Sequence, residues 1–345
     1  MELKQLLHGL LAITAPSGFE RRAKNSLSTL LGEMFDEHIT SPVGNHIFIK
    51  RCGKENAPRL LLDAHFDTIG FMVSQVLDSG HIRVTSLGGI DSRSVIATQV
   101  AIHADSEIHG IITAPPAVPM TDADAKKLPA LRENFIFTGL TKEQLEQAGV
   151  RVGIPVTYRY APLELGECVA SPGMDNRVSA AALCHAVQLL EDEKLDCDIY
   201  VLLSSTEEVA NQPGAKTGAF AISPDVAIIV DVGFGHSPDG GDKSKCCELG
   251  KGVDITMSIE VNRAMTDQLI QLAKDKEIPH QISLSPRRTG TNNAAIAFSK
   301  TGVPSVVLGI PLRNMHTPNE VALLSDVQAV SQLIAEYAKN FKGGM

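Results

Sequence analysis

The sequence has no apolar stretch that approaches the ~20 residues needed to span a bilayer. Its N-terminal segment lacks the basic stretch and uninterrupted apolar run of a signal peptide, and its leucines instead repeat at the spacing of an amphipathic helix. The six cysteines form no CxxC pair, and several lie in the apolar contexts typical of reduced, buried thiols. We therefore expect a cytoplasmic protein that does not span a membrane.

Runs of basic residues are also absent. Lysine and arginine number 31 against 40 aspartates and glutamates, so the formal net charge is −9 and the isoelectric point is about 5.7. An acidic chain without a cationic cluster is a poor match to nucleic acid or to an anionic membrane surface. Neither is expected as a partner.

Aromatic residues are scarce, since tryptophan is missing and aromatic side chains make up 4% of the chain. This argues against a carbohydrate-binding cleft, whose walls are usually aromatic. Of the 345 residues, 43% are hydrophobic and 21% are charged, which is enough apolar material for a large core. At about 150 residues per domain, the length predicts roughly two domains.

Helix and strand patterns alternate towards both ends of the chain, which predicts an α/β fold with a mixed central sheet flanked by helices. Ser17 and Glu20 stand at capping-box spacing and predict the start of a helix. The apolar run "PRLLLDAHFD" is typical of a strand covered on both faces. The other predicted elements are a strand at 46–50, a helix at 178–191, strands at 199–203 and 226–230, a helix at 264–276, a strand at 305–309 and a helix at 325–341.

The middle of the chain has a different pattern. Short alternating runs such as "HIRVTSLG" and "SVIATQVAIHA" are separated by Gly, Pro and Asp. Only "TKEQLEQAG" has a helical pattern, and "PPAVPMTDADAKKLPALREN" predicts a loop. We interpret 71–160 as a small β-barrel-like domain inserted into an α/β domain formed by 1–70 and 161–345.

Several predicted strands end in side chains that can bind a metal ion. In an open α/β sheet, ligands bind outside the carboxyl ends of the strands. The candidates, including one aspartate that precedes a helix, are His65, Asp67, Asp175, Glu207, Glu208, Asp231 and His316.

Each candidate taken alone also has a structural explanation. His65 is compatible with a hydrogen-bonded core histidine, Asp175 with a helix N-cap and Asp231 with a turn aspartate. The adjacent Glu207 and Glu208 are compatible with a helix N-terminus, where carboxylates are favoured. Burying all of these carboxylates together without a cation, however, would be severely unfavourable. The set as a whole therefore favours a site for zinc or a similar divalent metal.

With these residues assembled, the chain resembles the tetrahedral aminopeptidase family. These are cytosolic two-metal aminopeptidases that include glutamyl and deblocking enzymes, some of which are labelled endoglucanase-like. The resemblance covers essentially the whole chain, and its combination of motifs is specific in order and spacing. The motifs are "APSGFE", "DAHFDTIGFMV", "SPGMDNRVS", "STEEV", "AIIVDVGFG" and "GVPSVVLGIPLRNMHTPNEV".

The resemblance implies a role for each candidate. One divalent ion would be held by His65 and Asp231 and a second by Glu208 and His316, with Asp175 bridging both. Zinc is the expected ion, with cobalt and manganese as alternatives. Glu207 would be the general base, Asp67 would orient His65, and the peptide bond after Asp175 would be cis.

These implied roles fit the chemistry of peptide hydrolysis. Two cations ~3.5–4 Å apart can share one water and lower its pKa towards ~7. Glu207 must then stay uncoordinated, so that it can take the proton of this water and deliver it to the leaving amine. The substrates implied are peptides with a free N-terminus.

The sequence departs from the family pattern at three places. A longer, proline-bearing "ANQPGAKTGAF" follows the glutamate pair, Asn292 stands where an aspartate is usual, and Phe66 and Thr68 replace Met and Glu. None of these changes removes a candidate ligand or the candidate base. Arg287 and Arg288 in "SPRRTGTN" would suit an acidic substrate residue, although paired loop arginines are usually solvated.

The resemblance further implies that the inserted β domain mediates dimerisation and then assembly into a dodecamer. The sequence is also compatible with other functions. A glycoside hydrolase also needs paired carboxylates, but that mechanism gives the two histidines no role. A carboxypeptidase or deacylase of the two-metal group and a non-catalytic metal-binding relative are further alternatives.

Overall fold

The computed structural model describes residues 1–113, 131–209, 211–238, 240 and 243–343. Helices and strands are numbered in chain order. Within these ranges the α-helices are α1 (Leu3–Leu11), α2 (Lys24–Leu31), α3 (Lys142–Gln147), α4 (Met174–Gln188), α5 (Pro213–Ile222), α6 (Arg263–Asp275), α7 (Asn293–Ala297) and α8 (Leu324–Asn340). Among the described residues, none of the helices combines the length and apolar character needed to cross a bilayer.

A large mixed sheet forms the centre of the molecule. Its strands are β1 (Glu37–Thr40), β2 (His46–Lys50), β3 (Arg59–His65), β10 (Leu163–Leu165), β11 (Cys168–Ser171), β12 (Asp198–Ser204), β13 (Val226–Phe234), β14 (Val253–Ser258), β15 (His280–Ser285), β16 (Ser305–Arg313) and β17 (Glu320–Leu323). The strand order is β1-β2-β12-β3-β13-β16-β17-β11-β10, and β14 joins β15 to β16. Because β12, β3, β13 and β16 run parallel to one another, their carboxyl ends meet at one edge of the sheet.

Helices cover both faces of this sheet. Strand β3 shows why, because Leu60 and Leu62 pack into the core under α1, α4, α6 and α8, whereas Leu61 packs into the core under α5 and α7. A strand buried on both faces needs apolar side chains at consecutive positions, which explains its continuous run. This confirms the α/β prediction and each predicted strand and helix from 178 onwards, with ends displaced by a few residues.

A second unit is a closed barrel of six antiparallel strands. These strands are β4 (Gly70–Val76), β5 (Ile82–Leu87), β6 (Gln99–His103), β7 (Glu107–Ile112), β8 (Ile136–Phe137) and β9 (Pro155–Tyr158). The barrel has its own apolar core around Phe71, Val100 and Val156. The predicted β-barrel-like unit is therefore confirmed, and so is the helix in "TKEQLEQAG", which Thr141 caps. Most of the predicted loop, 115–130, lies outside the described residues.

The predicted capping box at Ser17 is wrong. Ser17 Oγ donates a hydrogen bond to Asp67, while the Glu20 carboxylate accepts from the backbone N–H groups of Gly18 and Thr206. The chain at 20–23 forms a 3₁₀ turn, and α2 begins only at Lys24. Ser17 and Glu20 each form a hydrogen bond with a residue far along the chain, Asp67 and Thr206 respectively. Sequence spacing alone does not reveal such partners.

Candidate active site

The sequence candidates come together at the carboxyl edge of the four parallel strands. His65 is the last residue of β3 and pairs with Ser204, the last residue of the parallel strand β12. The chain that leaves β12 therefore passes beside His65. On the other side of β3, Ile229 pairs with Asp63, which puts Asp231 level with His65. Strand β16 then leads towards His316. The parallel register thus places four chain segments around one point.

Five candidate side chains form two clusters that share Asp175. In the first, His65 Nε2 lies 3.1 Å from Asp175 Oδ1 and 3.7 Å from Asp231 Oδ1. In the second, His316 Nε2 lies 3.4 Å from Asp175 Oδ2 and 3.3 Å from Glu208 Oε2. Within each cluster the nitrogen and oxygen atoms are all within 4.8 Å of one another. The two oxygens of Asp175 therefore face different histidines.

Asp175 is held by the backbone at the start of α4. The residue before α4, Gly173, has a φ of 74°, a value that glycine adopts without strain, and the Asp175–Asn176 peptide bond is cis, as the resemblance implied. The Asn176 side chain donates to the carbonyl of Val230 on β13. The start of α4 is thereby fixed to the strand that carries Asp231.

Glu320 was missed by the sequence analysis. This fully buried carboxylate accepts hydrogen bonds from the backbone N–H of Asp175 at 3.1 Å and from that of His316 at 2.7 Å. Burial and the nearby Asp175 raise the pKa of Glu320 well above its ordinary value. One side chain therefore positions two members of the second cluster. Its one signal in the sequence is its place in the motif "GVPSVVLGIPLRNMHTPNEV".

Asp67 holds the glutamate pair as well as lying beside His65. Its carboxylate accepts from Ser17 Oγ at 2.6 Å and from the N–H groups of Glu207 and Glu208 at 3.0 and 3.1 Å. Its Oδ1 is 3.6 Å from Nδ1 of His65, and its own carbonyl oxygen is closer, at 3.1 Å. A proton on Nδ1 would leave the Nε2 lone pair directed at Asp175 and Asp231.

Removal of the Asp67 carboxylate should destabilise the fold. Asp67→Ala leaves three donors, one buried and two partly buried, without this acceptor, so we expect a loss of about 3 kcal/mol in the free energy of unfolding. Ser17→Ala removes one of these hydrogen bonds and should cost about 1–2 kcal/mol. Denaturant unfolding of both variants measures the difference. Equal losses would show that Asp67 does not anchor the glutamate turn.

Glu207 lies beside the clusters and, among the described residues, belongs to neither. Its Oε1 accepts a hydrogen bond from Gln212, whose amide also donates to the carbonyl of Thr291. Gln212 lies in the longer segment that departs from the family pattern, so this departure contacts the candidate base. Burial and the charges of Asp231 and Glu208 raise the pKa of Glu207 to about 8.

The histidines and carboxylates of the two clusters shift one another's pKa values. Hydrogen bonds to Asp175 and Glu208 raise the pKa of His316 to about 11. Burial would lower the pKa of His65, but the surrounding carboxylates raise it well above its ordinary value. Burial also raises the pKa values of Glu208 and Asp231. Concentrated negative charge therefore draws positive charge to this point.

The barrel also reaches this site through the segment after β5. A side-chain carbon on Gly88 would lie 3.3 Å from Cβ of Glu208, and one on Gly89 would lie 3.1 Å from Nδ1 of His316. Only residues without a side chain allow so close an approach. The second cluster thus lies between the sheet and the barrel.

The residues that depart from the family pattern have structural contacts of their own. Asn292 is buried and donates to Asp63 Oδ2 and to Ser204 Oγ, linking β3 to β12. Phe66 is fully buried, with the guanidinium carbon of Arg177 3.4 Å from its ring centroid. Arg287 and Arg288 are both exposed.

The profile of the M42 glutamyl aminopeptidase family matches residues 44–333. A lysyl aminopeptidase of Pyrococcus furiosus is 30% identical over 344 residues, covering 98% of this chain and 97% of the relative. The structure of a TET aminopeptidase from Thaumarchaeota archaeon SCGC AB-539-E09 superimposes with a TM-score of 0.91 at 28% identity, covering 98% of this chain and 96% of that one. PhTET1-12s, solved as a dodecamer, gives a TM-score of 0.85 at 25% identity, covering 99% and 100%. The chain therefore belongs to the M42 glutamyl aminopeptidase family and is an aminopeptidase, a hydrolase of peptide bonds.

Proposed function

We propose that this aminopeptidase removes N-terminal residues from peptides with the help of two divalent cations. One cation would be held by His65, Asp175 and Asp231, and the other by Asp175, Glu208 and His316. The observation that carries the proposal is the pair of three-residue clusters with Asp175 in common.

The chemistry of the donor atoms fits such cations. Each cluster combines one imidazole nitrogen with carboxylate oxygens, the set that zinc accepts. Glu208 Oε1 is buried and accepts no hydrogen bond from any described residue, which is costly for a carboxylate unless a cation is nearby. Zinc is the proposed ion, with cobalt and manganese as alternatives.

In the proposed mechanism, Glu207 is the residue that accepts and donates the proton. When bound, divalent cations would polarise the scissile carbonyl and make a nearby water more acidic. Glu207 would take the proton of the attacking water and return it to the amine that leaves. Burial raises the pKa of Glu207, which is the direction expected for a carboxylate that first accepts and then donates a proton.

Asp67 and Gln212 would position the groups that act on the substrate. Asp67 fixes the backbone of Glu207 and, through its carbonyl, the ring of His65. Gln212 holds Oε1 of Glu207. Peptides with a free N-terminus are the proposed substrates, which the names of the relatives support.

The proposal extends to assembly. Residues 71–160 would form an assembly domain, whereas 1–70 and 161–345 would form the catalytic domain. The barrel exposes apolar side chains, among them Ile111 and Phe137, which are each about half exposed. Dimers that assemble into a dodecamer would cover such residues, and the dodecamer of PhTET1-12s supports this arrangement.

Removal of metal should abolish the activity. We expect a chelator to stop hydrolysis of an unblocked tripeptide, and zinc, cobalt or manganese to restore it, because a Lewis acid is then available again. Acetylation of the substrate N-terminus should prevent cleavage, whereas amidation of its C-terminus should not. Mass spectrometry of the products measures both effects.

Each alternative function has a different outcome in this experiment. Cleavage blocked by C-terminal amidation would indicate a carboxypeptidase. Chelator-resistant hydrolysis of a glycoside would indicate a glycoside hydrolase. No turnover of any peptide or amino-acid amide by metal-loaded protein would leave the non-catalytic alternative.

A further inference from the structure

A cavity of about 440 Å³ opens beside Asp231, and none of its lining residues belongs to the barrel strands. Neutral polar and apolar groups line much of it, including Thr256, Ser283 and Thr291. Because Asp231 belongs both to the cavity wall and to the first cluster, a substrate bound at the cluster has this space next to it.

The strand register aligns the cavity with the proposed metal site. Asp231 on β13 pairs with Gly309 on β16, and Gly309 pairs with Asp254 on β14. Directly paired residues point to the same face of a sheet, and adjacent strands are ~4.8 Å apart, so the two aspartates lie on one face about 10 Å from each other. Gly309 has no side chain, which leaves the space between them open.

The buried carboxylate of Asp254 is hydrogen-bonded by the Ser283 side chain, but one of its two oxygens has no partner among the described residues. The residue is 6% exposed, it lines the cavity, and its Oδ1 accepts no hydrogen bond from the described residues. Gly233 and Gly309 make room for it, since a side-chain carbon on either would lie within 3.5 Å of its Oδ2. Burial raises the pKa of Asp254 to about 6, so the carboxylate is anionic above that pH.

Two other polar groups in the cavity wall, Cys247 and Gln281, carry no positive charge. Burial raises the pKa of Cys247 to about 12, so its thiol is neutral. Gln281 is engaged by the backbone of Glu248. Lys245 also lines the cavity and is an exposed residue.

We infer that this cavity binds the side chain of the substrate's N-terminal residue and that Asp254 selects a residue with a terminal cation, lysine above all. The inference rests on the proposed function, since that function places the N-terminal residue at the metal clusters. The four-carbon stem of lysine, about 6 Å long when extended, spans much of the distance from Asp231 to Asp254. Its ammonium group would supply the hydrogen bond and the charge that the buried carboxylate lacks. Neither Arg287 nor Arg288 lines this cavity, so the geometry favours basic over acidic substrate residues.

The test compares lysine with norleucine, which has the same carbon stem without the amine. Hydrolysis of the two aminoacyl p-nitroanilides by the full, zinc-loaded protein should favour lysine in kcat/KM by about tenfold or more. In Asp254→Asn this preference should disappear, mainly through a higher KM for the lysine substrate, while the norleucine substrate is little affected. Asp267→Asn, which removes an exposed carboxylate on α6, should leave the preference unchanged.

A second measurement separates this inference from the proposed function. Calorimetry with lysinamide and norleucinamide reports binding without turnover, and lysinamide should bind more tightly to the zinc-loaded wild type but not to Asp254→Asn. If no amide is hydrolysed, the proposed function fails and the binding comparison still decides about the cavity. Asp254→Glu keeps the charge and should retain part of the preference, which serves if the Asn variant does not fold.

Two results would overturn the inference about the cavity but would still be compatible with the proposed aminopeptidase activity. One is equal use of lysine and norleucine by the wild type, unchanged in Asp254→Asn. The other is a preference for a glutamate substrate that is lost in Lys245→Ala, because the exposed lysine would then control the charge of the pocket.

Discussion

Glu207→Gln should reduce kcat by roughly 10²- to 10⁴-fold, the usual contribution of a general base, while the metal content stays normal. The reason is geometric, because Glu207 lies beside both clusters without belonging to either. Glutamine keeps an oxygen that can accept the hydrogen bond from Gln212, so the local structure should persist. Elemental analysis after gel filtration, together with steady-state kinetics, measures the two quantities on the same sample.

The neighbouring residue provides the matched control. Glu208→Gln makes the same chemical change one position along the chain, but it removes a carboxylate 3.3 Å from His316. We expect this variant to lose metal, and its activity to recover in part when metal is added in excess. Equal metal loss in the two variants would contradict the division of roles between the adjacent glutamates.

The fold was largely predictable from periodicity. The buried strands β3, β12, β13 and β16 are continuous apolar runs because both faces of the sheet are covered, and each run was recognised. Ser17 was placed wrongly because its partner, Asp67, is fifty residues further along the chain. The spacing of neighbouring residues does not indicate a contact between residues this far apart in the sequence.

The candidate site, too, was predictable where it follows from local sequence patterns and not where it depends on contacts that those patterns do not show. Residues at strand ends could be found because parallel strands bring their carboxyl ends together. Glu320 could not be found, because it binds the backbone of Asp175, 145 residues earlier in the chain. Gln212 lies only five residues from Glu207, but the spacing does not show that its amide donates to the Glu207 carboxylate. Asp254 was equally hidden, since its proximity to the site depends on the register of β14 against β16.

Asp175→Asn should remove metal from both clusters and with it nearly all activity. The carboxylate places one oxygen 3.1 Å from His65 and the other 3.4 Å from His316, and an amide offers a single acceptor oxygen and no charge. We expect metal affinity to fall by more than the roughly 10- to 100-fold lost when a group supporting a ligand is removed. Elemental analysis measures the content, and kinetics measures the activity.

A thermal-unfolding series tests whether the loss comes from binding and not from misfolding. Zinc at 100 times its Kd should stabilise the wild type by about 2.7 kcal/mol, whereas Asp175→Asn should show almost no stabilisation at the same concentration. Asp63→Asn is the control, because Asp63 is another fully buried carboxylate on the sheet, with Asn292 as its partner. Burial raises the pKa of Asp63 to about 7, so this group is already partly neutral and its variant should keep its metal. Stabilisation by zinc that persists in Asp175→Asn would mean that the shared carboxylate does not join the two clusters into one site, and the proposed mechanism would have to be abandoned.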